Sequence, residues 1–131
     1  MEKAAAKVDD PSIITTSFEE IANDPEIEIV VEVMGGKQPA MNYILACLDA
    51  GKNVVTANKD LVASEGKKFL ATAKRNGKDF LYEASVAGGI PIIRPVKQCL
   101  AANHITELMG IFNGTTNFHS HKNVAGRHGV W

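Results

Sequence analysis

Cysteine is scarce in this sequence: Cys47 and Cys99 stand far apart, with no CxxC and no histidine cluster beside either. That argues against a disulfide framework or a thiolate metal site, and leaves two reduced thiols packed as small hydrophobes in apolar stretches. Long hydrophobic runs are missing too. The longest, "IEIVVEVMGG", is broken by Glu28 and Glu32, so no segment suits a membrane span. Neither sign of charge is in excess. A formal net charge of −1 provides no basic footprint for nucleic acid and no acidic solvating tail. The opening "MEKAAAKVDDPS" lacks the apolar core of a secretory signal, so the cytosol is the expected compartment, or a plastid in a plant. Missing as well are a G-x-G-x-x-G after an early strand and the strand-then-acid pair that holds a ribose.

What is present is ordinary globular material, 45% hydrophobic and 22% charged over 131 residues, enough for one domain or a piece of a larger one. Ser17 and Glu20 have the spacing of a capping box, each expected to bond the other's amide, and Asp24 with Pro25 closes a short helix. "EIEIVVEVMGG" sets Ile27, Ile29, Val31 and Val33 on one side and Val30 on the other. This predicts a largely buried strand that stops at Gly35 and Gly36. Pro39 suits a first helical turn, and Met41, Ile44, Leu45 and Leu48 then form one helical face up to Gly51.

"NVVTAN" is the next predicted strand, followed by a helix to about Asn76, with Phe69, Leu70 and Ala73 facing inward. "DFLYEASV" predicts a third strand ending at a Gly88, Gly89, Ile90, Pro91 corner. A helix with Pro95 in its first turn comes next, then a last strand, "HITELMGIF", and a turn at Asn113 and Gly114. Alternating strands and helices in short units imply parallel strands joined by crossover helices. The fold class is therefore α/β, the second half of a doubly wound, Rossmann-like sheet whose first βα unit is missing. The tail "HSHKNVAGRHGVW" holds three of the four histidines but has no periodicity. His119 and His121, at i, i+2 on such a tail, make a poor metal pair, and disorder is the expectation there.

In "NVVTANK", Lys59 stands where a strand ends and a helix begins. It is either a surface charge or a group placed for chemistry. An ammonium there could neutralise a developing alkoxide, orient a hydroxyl or relay a proton, with burial tuning its acidity. Ligands of open α/β sheets bind beyond the carboxyl ends of the strands, and Met34, Gly35 and Gly36 lie just past another such end. Their glycines suit close backbone approach to a cofactor, or simply a tight turn into the Pro39 helix.

Four segments, "VVEVMGG", "AGKNVVTANK", "YEASVAGGIPII" and "GIFNGTTNF", occur in this order from about Asp24 to Phe118, and together they resemble homoserine dehydrogenase. The resemblance implies an NAD(P)-dependent oxidoreductase that interconverts L-homoserine and L-aspartate 4-semialdehyde, in threonine, methionine and isoleucine biosynthesis. It implies a cofactor, NADP or NAD, contacted by Met34, Gly35, Gly36, Lys59, Gly114 and Thr115, with Lys59 as the catalytic lysine. It also implies a sodium ion held mainly by main-chain oxygens of Glu83, Val86, Gly88 and Ile90; a hinge between two domains is the alternative reading of that segment, and the two are compatible. The implied partners are the small-molecule substrate and a second copy in a homodimer.

On this basis residues 1–88 are expected to form a partial NAD(P)-binding domain, residues 89–118 the start of an α+β catalytic and dimerisation domain, and residues 119–131 a tail foreign to the family. The family's acidic substrate-gripping residues and its second lysine are not found in this sequence. The expectation is thus a truncated chain without turnover of its own. Two other readings stay open: a non-catalytic nucleotide- or partner-binding module, and part of a bifunctional aspartate kinase–homoserine dehydrogenase.

Overall fold

A computed structural model describes residues 7–109. Three parallel strands, β1 (Ile29–Glu32), β2 (Asn53–Thr56) and β3 (Phe80–Leu81), lie side by side in chain order. Ile29 pairs with Asn53 and Glu32 with Thr56, while Val54 and Val55 pair with Phe80 and Leu81. Helix α1 (Phe18–Asn23) precedes β1, α2 (Ala40–Asp49) joins β1 to β2, and α3 (Lys59–Asn76) joins β2 to β3. The α/β architecture expected from the strand–helix alternation is the one observed.

Local chemistry sets the helix limits. Asn58 caps α3, its Oδ1 accepting from the Leu61 amide at 3.2 Å. Asp60 in the first turn and Lys74 and Arg75 in the last suit the helix dipole, and Gly77 stops the helix in the left-handed region at φ 63°. At α1, only half of the capping box forms. Ser17 Oγ accepts from the Glu20 amide at 3.4 Å, but the Ser17 amide donates to Thr15 Oγ1 at 2.9 Å. The nearer threonine hydroxyl has taken the place expected for the Glu20 carboxylate.

Both crossovers advance in one direction along the sheet, so α2 and α3 pack on the same face. Their Ile44, Leu48, Leu61 and Phe69 close over Val54 and Phe80, and the Phe69 and Phe80 rings meet with centroids 5.2 Å apart. Burying such side chains is worth about 1.5–3 kcal/mol each and dominates the stability of this layer. At the amino end of the sheet the Lys52 side chain is buried at 4% exposure. Its ammonium donates to the carbonyls of Asp24 and Ile27, the latter at 2.8 Å, which fixes the entry into β1.

Several expectations are corrected. The side of β1 bearing Ile29 (59% exposed), Val31 (61%) and Val33 (73%) is open, because both helices cover the opposite face and no described element covers this one. β3 is only two residues long; Glu83 to Ser85 coil into a 3-10 turn instead of extending the strand. Residues 104–109, the described part of the last predicted strand, form no strand. Leu70 is exposed and Thr72 takes the inward position beside Ala73, a shift of helical phase. Cys47 is buried as expected, but Cys99 is exposed, since no described element packs over the π-helical turn Pro95–Cys99.

Candidate functional site at the carboxyl edge of the sheet

Beyond the ends of β1 and β2, two segments face each other. The first leaves β1 through Val33 and Met34 into Gly35 (φ 74°) and Gly36 (φ 72°), both left-handed. A Cβ added to either glycine would meet nothing within 4 Å. Backbone conformation, not crowding within the described chain, therefore demands glycine here, and the space over these peptides is open to a ligand. The second segment leaves β2 through Ala57 and Asn58 into Lys59, the first residue of α3.

The two are tied together. Asn58 Nδ2 donates to the Gly36 carbonyl at 2.6 Å while its Oδ1 caps α3. Beneath this link lies Glu32, only 5% exposed. Its Oε1 accepts from the Met34 amide at 2.8 Å and its Oε2 from the Thr56 hydroxyl at 2.6 Å. Thr56 Oγ1 in turn accepts from the Asn58 amide at 3.0 Å. No buried side-chain nitrogen or oxygen is left without a partner among the described residues. A cavity of about 300 Å³ between α1 and β1 reaches Met34 and Glu32; Phe18, Val30 and Ile44 give it apolar walls, and Thr15, Thr16 and Ser17 bring hydroxyls to it.

Lys59 is exposed, so the described residues do not supply the burial that the sequence argument invoked. A cation at a helix N-terminus also opposes the dipole. Nothing in the local packing explains a lysine here. Met34, Gly35, Gly36 and Lys59 thus lie along one edge, whereas Gly114 and Thr115 fall outside the described residues. Sequence reasoning missed Glu32, Thr56 and Asn58. The available signal was a carboxylate at an inward position of an apolar strand, two residues before a turn.

The Glu83 segment lies further along, after β3. The Glu83 carboxylate accepts from the amides of Ile92, Ile93 (2.8 Å) and Arg94 (2.7 Å), capping the helical turn that follows. Partial desolvation pushes its pKa up, but those amides and the Arg94 charge together outweigh it and hold the carboxyl below its ordinary value. Ala87 (φ 57°) and Gly88 (φ 60°) are both left-handed, which reorients successive peptide groups. The Glu83 carbonyl accepts from the Val86 amide at 3.2 Å; those of Val86, Gly88 and Ile90 accept no hydrogen bond among the described residues. Carbonyl oxygens left free within the described chain are the kind of donor that a hard cation takes. The described residues hold no group of three or more His, Cys, Asp or Glu side chains suited to a metal.

Comparison with known proteins matches residues 2–83 to the family described as homoserine dehydrogenase, NAD binding domain, and residues 91–125 to homoserine dehydrogenase. The second match extends past Phe118, into the segment read from sequence as a foreign tail. The homoserine dehydrogenase of Bacillus subtilis is 49% identical over 106 residues, 81% of this chain and 24% of that protein. That of Synechocystis is 48% identical over 108 residues, 82% and 25% respectively. A crystal structure of a homoserine dehydrogenase from Thiobacillus denitrificans superposes with a TM-score of 0.81 at 46% identity, covering 90% of this chain and 27% of that one. The chain therefore spans about a quarter of the length of these curated relatives.

Proposed function

The chain belongs to the homoserine dehydrogenase family, and from that premise we propose that it supplies the cofactor-facing part of an NAD(P)-dependent oxidoreductase interconverting L-homoserine and L-aspartate 4-semialdehyde. When bound, the nicotinamide gives or takes the hydride at the substrate carbon that changes between alcohol and aldehyde. Gly35 and Gly36 offer backbone with open space above it for the cofactor, beside the exposed Met34. The Lys59 ammonium has three donors with which to orient the substrate oxygen and stabilise charge developing on it. Gly114 and Thr115 are proposed to complete the cofactor contact. The proposed setting is a cytosolic homodimer, as the family resemblance implies.

One observation carries this reading. The 2.6 Å bond from Asn58 Nδ2 to the Gly36 carbonyl brings the glycine turn and the start of the lysine helix together at the carboxyl edge of adjacent parallel strands. That edge is where open α/β sheets take their ligands.

A sodium ion held by the carbonyls of Glu83, Val86, Gly88 and Ile90 is proposed as a second component, supported by the unengaged oxygens on that turn. Sodium chloride should raise the melting temperature more than choline chloride at equal ionic strength. Identical melting temperatures in the two salts would remove the ion from the account.

The cofactor reading is tested by adding NADPH to isotope-labelled protein and following backbone amide shifts. Residues 34–36 and Lys59 should move together and saturate, while Lys52 and Asp24 at the opposite edge stay still. Shifts confined to the opposite edge, or no saturation, would contradict it.

A further inference from the structure

We propose that Glu32 is a positioning residue which, acting through Thr56, locks the Met34 turn to the Asn58–Lys59 turn, so that the two cofactor-facing segments are presented as one rigid unit. This rests on the functional reading above for its consequence, but not for its geometry. A carboxylate with 5% exposure inside an apolar layer is costly unless its oxygens are bonded, and here each has a specific donor. The Met34 amide belongs to the first turn; the Thr56 hydroxyl closes β2, and its oxygen holds the Asn58 amide of the second turn.

The Thr56 hydroxyl has one hydrogen and spends it on Glu32, which leaves its lone pairs for the Asn58 amide. The path Met34–Glu32–Thr56–Asn58–Gly36 leaves one turn, crosses to the other and returns. An apolar pair in register at these positions would fill the layer equally well but would hold neither turn. Had Glu32 served packing alone, its carboxylate would have no reason to select one donor on the first turn and one that in turn holds the second.

Thr56→Val keeps the side-chain shape and removes the hydroxyl, whereas Thr56→Ser keeps the hydroxyl. Amide hydrogen exchange of the full chain is the direct readout. In Thr56→Val the Met34 amide, which Thr56 does not touch, should exchange on the order of tenfold faster, the scale of one weakened hydrogen bond to a charged acceptor. Thr56→Ser should remain within about twofold of the parent at Met34, given a retained hydroxyl. Ala73, far along α3, serves as the control for general destabilisation.

An unchanged Met34 rate in Thr56→Val, an equal rise at Ala73, or a Thr56→Ser chain that behaves like Thr56→Val would each overturn the proposal. NADPH titration of the same three proteins reads the functional consequence. Thr56→Val should bind on the order of tenfold more weakly than the parent, with Thr56→Ser close to it. If the parent fails to bind, the proposed function fails, and the exchange data still decide the coupling. If parent and Thr56→Val bind equally, the positioning role fails while the function stands.

Discussion

Asn58 serves two elements at once: its side-chain oxygen caps α3 through the Leu61 amide, and its side-chain nitrogen holds the Gly36 carbonyl 2.6 Å away. The two roles use different atoms and can be separated by substitution. Asn58→Ala should lose both, at a cost of about 1 kcal/mol for the cap alone. Asn58→Asp keeps the capping oxygen but has no donor for Gly36. Urea unfolding should find both variants less stable than the parent, Asn58→Asp because its second, buried oxygen would face the Gly36 carbonyl, and both should show faster motion at residues 34–36 by amide relaxation.

Lys52 is the clearest structural cation. Its buried ammonium satisfies the Asp24 and Ile27 carbonyls at the sheet edge remote from the candidate site. Replacement by methionine keeps most of the stem but leaves those carbonyls without their donor, a loss of about 1–3 kcal/mol. Urea midpoints should fall accordingly, and nucleotide affinity measured on the folded fraction should be unchanged.

The two thiols should differ sharply in reactivity. Burial pushes the Cys47 thiol up, only partly opposed by the Lys52 charge, whereas Cys99 is exposed. Iodoacetamide at neutral pH should label Cys99 in the native protein and reach Cys47 only after denaturation. Peptide mapping by mass spectrometry reads this directly.

Glu83 makes the acid limb of stability testable. Its carboxyl is held below its ordinary value in the folded chain, so its contribution is present above the unfolded value and lost as pH falls through the folded one. Melting temperature should therefore drop as the pH is lowered from about 4.3, the ordinary glutamate value, and drop less steeply in Glu83→Gln, which lacks this titration. Equal slopes for the two proteins over that window would show that the three amide bonds contribute nothing.

The helices were legible because their signals are local. The span of α3 follows from helical spacing that ends near Asn76 without reference to anything distant in the chain, although its Asn58 cap was not read from the sequence. β1 was legible as a strand but not as a half-open one: alternation reports which residues share a side, and cover depends on where α2 and α3 pass. β3 was overextended, since the residues from Glu83 onward coil and the Glu83 carboxylate caps a turn that sequence spacing does not reveal. At the site, Lys59 and the glycines could be found from the strand ends. The Glu32–Thr56 bond could not, because it joins residues 24 apart whose pairing appears only once β1 and β2 are in register.

Lys59 brings the central claim to a single comparison. Removing a cation from the N-terminus of α3 should leave the fold unharmed or stabilise it by about 0.3–1 kcal/mol. The measurement is the NADPH dissociation constant of Lys59→Ala against the parent, by nicotinamide fluorescence, with urea midpoints for both. Saturable binding by the parent, weakened on the order of tenfold in a variant no less stable, is the expected result for a lysine placed to touch the ligand. Equal affinities would make Lys59 a surface charge and contradict the account.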